Sequence, residues 1–546
     1  MSKHYFFDSS FISEEKNTVL KLSEPQKTFT SAAWADPLQI TSRTDIPDWE
    51  CRVSILFPYV NYDENGISVD GVHRAKYKIW YESWYESWYE SDLSAFTKSG
   101  RKWLDFIIDK NNSQSVDIGD FHNTAKGVVS AVYPNFYCAV CYMESNDGIH
   151  WHRPDCGEFF YKQEDGEIVG TNIVFIGESG PGIVKNTHPL AGKSEPAYLF
   201  ACGHDGVLIS ASMDGIHWEL PTKVYGEFES RVQVRCDTQN HIVWSHEASR
   251  YVIITRGIEF DKRDVLRTVV VLVGPERLCP CGGSNTDLSF AKGSFSYPFV
   301  ALSGPLGAQP YSMPIYRLCD GYYLGIVSIF DYDQTKEEPY RVYAALAWSR
   351  DCINWKYLAN GQPFIPNAPE LKMEKGNDFG MIYCASPIEA DGKIKIFYAA
   401  IPEAHYVEYD QIPLAWRAVI DEAIPRAKSE KRPTRTTALN MATVDIDRFA
   451  GLFSEDGKIV TKPMPSVEGE AYISADVYSG GEIKVRCLDE SGKVISGFDY
   501  EAFAPITESL TNARLVCNHD ISALKNRSIA LEMTVKNATV YACEIR

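Results

Sequence analysis

The sequence has no uninterrupted apolar stretch near the roughly 20 residues that a membrane-spanning helix requires, which argues against a helical membrane protein. Its opening, Met1 to Asp8, lacks a basic head followed by a long apolar run and a small-residue cleavage site. Both absences predict a soluble, cytoplasmic protein. Positive charge is scarce as well: 54 Lys plus Arg face 73 Asp plus Glu, a net charge of −19. Such a surface repels phosphate backbones and anionic lipid, so neither nucleic acid nor a membrane is an expected partner. Matched cysteine pairs are also missing. The 14 cysteines are scattered at irregular spacing, which fits buried reduced thiols better than a disulfide framework. Cys138 and Cys141 lie in Y-C-A-V-C-Y, which reads as a strand, and Cys279 and Cys281 have no matching second pair. No metal or other cofactor is therefore expected.

What the chain has in quantity is strand-forming material. Hydrophobic residues make up 45% and aromatics 13%, with 31 Tyr and 12 Trp. At 546 residues it exceeds one ordinary core, so at least two domains are expected.

A short motif recurs: Ser145-Asn-Asp-Gly-Ile-His-Trp151, Ser212-Met-Asp-Gly-Ile-His-Trp218 and Ser349-Arg-Asp-Cys-Ile-Asn-Trp355. The first interval is 67 residues and the second is 137, close to twice as long, so one repeat lacks its motif. Asp accepts bonds from nearby backbone amides, Gly takes positive φ and Trp packs back, which makes the motif a turn that staples two strands. Strand triplets around these anchors predict an all-β fold, a five-bladed β-propeller. Blade one takes Val53 to Tyr59, Lys76 to Glu82 and Tyr137 to Met143; blade two takes Gly182 to Asn186, Ala197 to Gly203 and Val207 to Ser212. Blade three, without the motif, takes Asn240 to Ser245, Arg250 to Arg256 and Leu266 to Val273. Blade four takes Met313 to Leu318, Tyr322 to Phe330 and Arg341 to Trp348. Blade five takes Met381 to Glu389, Lys393 to Ala400 and Thr437 to Asp445, with a degenerate turn at Asp447-Arg448-Phe449. The propeller is expected over 1–454 and a C-terminal β-sandwich over 455–546. Helical apolar spacing from Leu414 to Ile424 predicts an inserted helix near 411–428, either a lid or a surface strap.

The turn motif resembles the Asp box of sialidase-like propellers. The landmarks Phe6-Phe7-Asp8, Lys76 to Tyr81, Cys236-Asp237-Thr238-Gln239-Asn240, Arg256, Asp378 to Tyr383 and His405 resemble those of glycoside hydrolase families 32, 43 and 68, in particular a family 32-like group with a C-terminal sandwich. In the tail, Asp489 to Phe498 and Asn537 to Tyr541 extend that resemblance. It implies carbohydrate metabolism and a glycosidase. The family 32 motifs W-M-N-D-P-N, R-D-P and E-C are absent, and Trp34-Ala35-Asp36-Pro37 is only an echo of the first.

Glycoside hydrolysis takes two carboxyl groups flanking the anomeric carbon, one to protonate the leaving oxygen and one to attack or to activate water. In a propeller such acids belong at the start of a blade's innermost strand. Asp237 and Asp378 meet that criterion, Glu50 before blade one is third, and each also fits a turn-capping role. Arg256, His188, Tyr316 and His405 are candidates for binding sugar hydroxyls, against ion-pair or core roles. Trp80 opens W-Y-E-S, whose copies run to Ser91; as a strand it puts Trp and Glu on one face, able to stack on a sugar or to pack in a core. The expected function is hydrolysis of a small oligosaccharide or glycoside, a fructosyl or arabinosyl furanoside. The alternative is a catalytically impaired carbohydrate-binding propeller. A phosphorylase would need a basic pocket, for which Lys262, Arg263 and Arg267 are thin support, and a homo-oligomer is left open.

Overall fold

The computed structural model describes residues 2–29, 51–86, 96–98, 101–102, 136–162, 166–177, 180–203, 206–226, 232–236, 238–260, 265–280, 283–305, 308–331, 340–370, 377–402, 404–405 and 437–546. Leu414 to Ile424, Glu50 and Asp237 lie outside the described residues. Antiparallel strand groups follow one another along the chain, the last two of the propeller joined into one eleven-stranded sheet by a parallel bridge between Val342 and Met381. Blade one pairs Cys51–Tyr62, Tyr77–Glu86 and Phe136–Ser145, with Trp151–His152 and Ile173–Gly177 on its outer side. Blade two runs Gly182–Lys185, Tyr198–Cys202, Gly206–Ser212 and Thr222–Gly226. In blade three the inner segments Gln233–Val234 and His241–Ser245 pair with Arg250–Phe260, followed by Val265–Val273 and Phe299–Leu302. Blade four is built on Tyr322–Phe330 and Val342–Ser349, and blade five on Met381–Cys384, Lys393–Ile401 and Ala438–Asp445. The predicted strands of all five blades fall in these sheets. A small extra sheet pairs Phe96–Lys98 with Phe159–Lys162.

The blades stack face to face, so their middle strands are covered on both sides. All nine residues of Tyr322–Phe330 are buried, which explains why such strands read as apolar runs without alternation. Shared cores close the ring. Trp80, Phe200 and Tyr251 join blades one to three, and Val252, Met313 and Val327 join three to four. Leu324 and Ile382 join four to five, and Phe397 and Tyr383 meet Ile55 and Tyr81 of blade one.

The fourth strand of blade five comes from the opposite end of the chain. Gln26–Phe29 pairs with Ala438–Asp445, in register Phe29 to Asn440. Upstream of it, Ser2–Tyr5, Ile12–Lys16 and Val19–Leu22 pair into the C-terminal sheet. The sequence pattern had assigned all of 1–454 to the propeller; these strands instead hydrogen-bond to Arg527–Ile545, Gly457–Thr461 and Ala450–Ser454. The C-terminal unit is built on two long strands, Ala471–Leu488 and Arg527–Ile545; bulges at Ser474/Ala475 and Val477/Glu482 bend them without breaking the pairing. Among the described residues no helix is long and apolar enough to cross a membrane.

The two ends of the ring differ. At one, here the mouth, the first strand of each blade begins. At the other, the far end, lie the recurring turns. In each turn the aspartate accepts two backbone amides: Asp147 from Ile149 and His150, both at 2.8 Å, Asp214 from Ile216 and His217, both at 2.9 Å, and Asp351 from Ile353 and Asn354, at 2.9 and 2.8 Å. A further turn, Ser68 to His73, repeats the pattern between the first two strands of blade one: Asp70 accepts Val72 at 2.8 Å and His73 at 3.1 Å. Asp447, at the degenerate turn, has φ 71° and serves the C-terminal sheet instead, taking Tyr5 at 2.9 Å, Ser474 at 2.6 Å and Lys3 at 2.5 Å.

Candidate active site

The mouth end is organised by close approach of the inner strands of blades two and three. A Cβ on Gly182 would stand 1.1 Å from the Asn240 carbonyl oxygen, and one on Gly180, at φ +70°, would stand 2.0 Å from that of Thr238. Only glycine fits either position. Asn240 ties Cys236 and Thr238 to the start of blade two. Its fully buried amide donates to the carbonyls of Cys236 at 2.8 Å, Thr238 at 2.7 Å and Gly180 at 2.7 Å, and Thr255 donates to its Oδ1. The backbone on both sides of position 237 is thereby tied to the start of blade two. Gln239 reaches further and donates to the Pro58 carbonyl of blade one at 3.1 Å.

Glu82, from the second strand of blade one, meets the same point: Oε2 accepts the Gly180 amide at 2.9 Å, and the side chain is fully buried. Sequence reasoning did not single it out as an acid. The signal was present, since Trp80 and Glu82 share a face in W-Y-E-S, but the face turns to blade two. Trp80 is 1% exposed and donates Nε1 to the Gly215 carbonyl at 2.7 Å, within the inter-blade core. The expectation of sugar stacking by Trp80 gives way to packing, because its ring has no exposed face.

Asp378 begins blade five as expected, with its side chain 1% exposed. Oδ2 accepts Lys27 Nζ at 2.6 Å and the Tyr398 hydroxyl at 3.0 Å, while Oδ1 is buried without a hydrogen bond. Lys27 belongs to Gln26–Phe29, so the candidate acid is also the clasp on the strand that closes the ring. Asn367 holds the Asp378 carbonyl at 3.0 Å.

Of the five candidate binding residues, Arg256 and His405 come together. Both lie against Tyr311, at the start of blade four. The Arg256 guanidinium carbon is 5.0 Å from the Tyr311 ring centroid, and His405 Nε2 is 3.3 Å from its hydroxyl. Arg267 flanks the same ring at 5.9 Å, lies 5.3 Å from the Phe330 centroid, and donates to Gln309 Oε1 at 2.8 Å. Tyr383 and Phe57 continue the aromatic wall, with Tyr311 to Tyr383 at 5.6 Å and Tyr383 to Phe57 at 5.2 Å.

His188 and Tyr316 are corrected. Both lie towards the far end, past or near the finish of their inner strands. His188 is stacked on Tyr251 at 5.6 Å and edge-on to Trp244 at 4.3 Å, and its Nδ1 accepts the Leu190 amide at 3.0 Å; burial pulls its pKa down. Tyr316 packs towards Phe449 at 6.5 Å, beside the C-terminal unit, and burial pushes its hydroxyl up to about 12.

On the inner strand of blade three, His241 is fully buried, neither ring nitrogen has a hydrogen bond, and burial pulls its pKa down to about 3. It is a neutral imidazole at working pH. The pattern gave no sign of it, because the strand reads as an ordinary inner strand.

No family model matches the chain, and no curated protein matches it in sequence. Among solved structures it is similar to a thermostable family-43 glycoside hydrolase, with 10% identity over 69% of this chain and 89% of that one at a TM-score of 0.35. The catalytic domain of the Coprinopsis cinerea GH62 alpha-L-arabinofuranosidase gives 9% identity, coverage of 77% and 97%, and a TM-score of 0.36. The beta-1,2-mannobiose phosphorylase from Listeria innocua, in complex with beta-1,2-mannobiose, gives 9%, 78% and 97%, and 0.41. All three TM-scores are below 0.5, so the ring of five blades rests on the strand pairings and shared cores above.

Proposed function

We propose that the chain is a glycoside hydrolase acting on a small oligosaccharide or glycoside, a fructosyl or arabinosyl furanoside, at the mouth of the propeller. The observation that carries the reading is the set of bonds from Asn240 to the carbonyls of Cys236 and Thr238, on a ring where Asp378 begins blade five and Glu82 is buried on the second strand of blade one. An acid used in catalysis needs a fixed backbone, and the bonds from Asn240 to Cys236 and Thr238 support that reading for the residue between them. In this reading Asp237 protonates the glycosidic oxygen as the bond to the anomeric carbon breaks, and a second carboxylate, Asp378 or Glu50, attacks that carbon or takes the proton of the attacking water. Arg256 and His405, arranged on Tyr311, hold the sugar.

The test is turnover of a panel of aryl furanosides and pyranosides by the wild type, Asp237→Asn and Asp378→Asn, with thermal melting of each protein. Loss of at least about a hundredfold in kcat for a folded Asp237→Asn is the expected outcome for a general acid. Turnover that survives both substitutions sinks the assignment. A second reading, a carbohydrate-binding propeller without turnover, is favoured by one observation: Asp378 is buried and engaged by Lys27. Sugar binding by calorimetry with no hydrolysis of any glycoside would decide for it.

A further inference from the structure

The C-terminal unit carries an open cavity of about 790 Å³, lined by nine residues that all fall between Pro465 and Ser528. That size lies within the roughly 300–1,000 Å³ of small-molecule sites, and no residue of the blades lines it. Three neighbouring stretches of one sheet form it. The start of Arg527–Ile545 runs down the middle, and Met464–Ser466 pairs with it on one side, in register Pro465 to Ser528. On the other side, past the pairing of Leu488 with Ala530, lies the turn that opens at Asp489. Pro465 and Val467 give the cavity an aliphatic wall, with Val467 61% exposed. The rest is polar and holds both donors and acceptors. Asp489 spends Oδ1 on its own turn, accepting the Ser491 amide at 2.8 Å, the Ser491 hydroxyl at 2.7 Å and the Lys493 amide at 3.0 Å. Its Oδ2 accepts no bond among the described residues. Elsewhere in the unit arginines meet acids: Arg486 lies 2.6 Å from Glu532, Arg546 2.8 Å from Glu544 and Arg514 3.2 Å from Glu470. Arg527, Asn526 and Glu490 line one cavity, yet among the described residues their side chains make no hydrogen bond or ion pair.

Two carboxylates repel an anion from this lining, and the guanidinium repels a simple cation. A hydroxyl donates and accepts at once, so open donors and open acceptors side by side suit a neutral ligand that carries several hydroxyls. The aliphatic wall suits the C–H face of its ring. We propose that the cavity is a binding site for a neutral sugar, separate from the mouth and without chemistry of its own. Arg527 and Asn526 donate to sugar oxygens, Glu490 and Asp489 Oδ2 accept from sugar hydroxyls, and Pro465 and Val467 lie against the ring. The proposal does not depend on turnover at the mouth, so it and the glycosidase reading can fail independently.

Hydrogen–deuterium exchange of the full chain, read by mass spectrometry, tests this with 1-kestose, arabinotriose and maltotriose as probes. Acetate and ethanolamine serve as charged probes without a ring. The expected result is slower exchange in 464–467, 489–493 and 526–528 with at least one trisaccharide and with neither charged probe. The sugar concentration that gives half of this protection should rise about tenfold or more in Arg527→Ala and in Glu490→Ala, the loss expected when a hydrogen bond to a charged group is removed. Both side chains are exposed and unengaged, so thermal melting of the two variants should match the wild type. Asn526 is left in place because its φ of 54° lies in the left-handed region, which asparagine adopts more readily than most residues. No protection of these segments by any of the three sugars overturns the proposal, as does protection indifferent to both substitutions. Protection by acetate or ethanolamine alone replaces the neutral sugar with a charged ligand and overturns it too. A fall in the melting temperature of Arg527→Ala would show that guanidinium engaged within the chain and count against its being open to a sugar. Protection confined to blade segments places all sugar binding at the mouth, which sinks this proposal and leaves the glycosidase reading standing.

Discussion

The two ends of the propeller are held by different kinds of interaction. At the far end the same small turn is used again and again, each copy closing on its own aspartate within three residues, so its stability is local and repeated. At the mouth, among the described residues, each contact is of its own kind. Asn240 bonds to blade two, Gln239 to blade one, Asp378 to the N-terminal strand, and Arg256 lies against blade four. Repetition builds the scaffold, and single long-range contacts individualise the site. The contrast predicts that changes at the mouth are large and not shared by neighbours, whereas changes in one turn are small.

At neutral pH the largest effect is expected at the clasp. Asp378→Asn leaves Lys27 without its buried partner and should cost about 3 kcal/mol in chemical denaturation, with Lys27→Met costing less because that side chain is partly exposed. A double-mutant cycle that returns no coupling between the two would break the account of ring closure. Next comes His241. Its folded pKa of about 3 lies below the 6.5 of the free side chain, so the unfolded chain binds a proton that the folded chain does not. Stability should therefore be complete above about pH 6.5 and decline as pH falls towards 3, by up to about 1.4 kcal/mol per pH unit. His241→Gln should flatten that slope, and a wild-type stability that does not fall between pH 6 and pH 4 would count against a buried neutral imidazole.

Asn240→Ala removes three bonds to buried carbonyls and should cost about 2 kcal/mol, with loss of turnover exceeding what the unfolded fraction explains. Full activity in a folded Asn240→Ala would mean that the backbone at 237 needs no fixing. The smallest effect belongs to the turns. Asp351→Ala should cost about 1 kcal/mol, measured by urea unfolding. Burial pushes the Asp351 carboxyl up, but the amides of Asn354 and Ile353 outweigh it and hold its pKa below the usual value. Its contribution is present above the ordinary carboxylate range and fades as pH falls through the lowered folded value. A turn substitution as costly as Asp378→Asn would erase the difference between the two ends.

The same contrast explains what could be read from the sequence. The blades were legible because Ser145–Trp151, Ser212–Trp218 and Ser349–Trp355 announce themselves locally and set the period. The Ser68–His73 turn escaped only because it lacks the tryptophan. Gln26–Phe29 gave no signal, since four residues at one terminus carry no period and their partner lies over 400 positions away. Glu82 was placed on the correct face and given the wrong neighbour, because facing residues come from another blade. Arg256 and His405 were found by resemblance, and Tyr311, the group that joins them, was not, because its role comes from three-dimensional convergence.

The N-terminal segment has a consequence for the order in which the molecule can assemble. Its first strand pairs with Arg527–Ile545 and its fourth with Ala438–Asp445, so each finds its partner only after the intervening blades have been made. Blades one to four can form as they emerge, but the circle stays open until the last strand arrives. A chain shortened by its final twenty residues should thus lose the tail sheet and the partner of Ser2–Tyr5, while Gln26–Phe29 keeps its own partner on blade five.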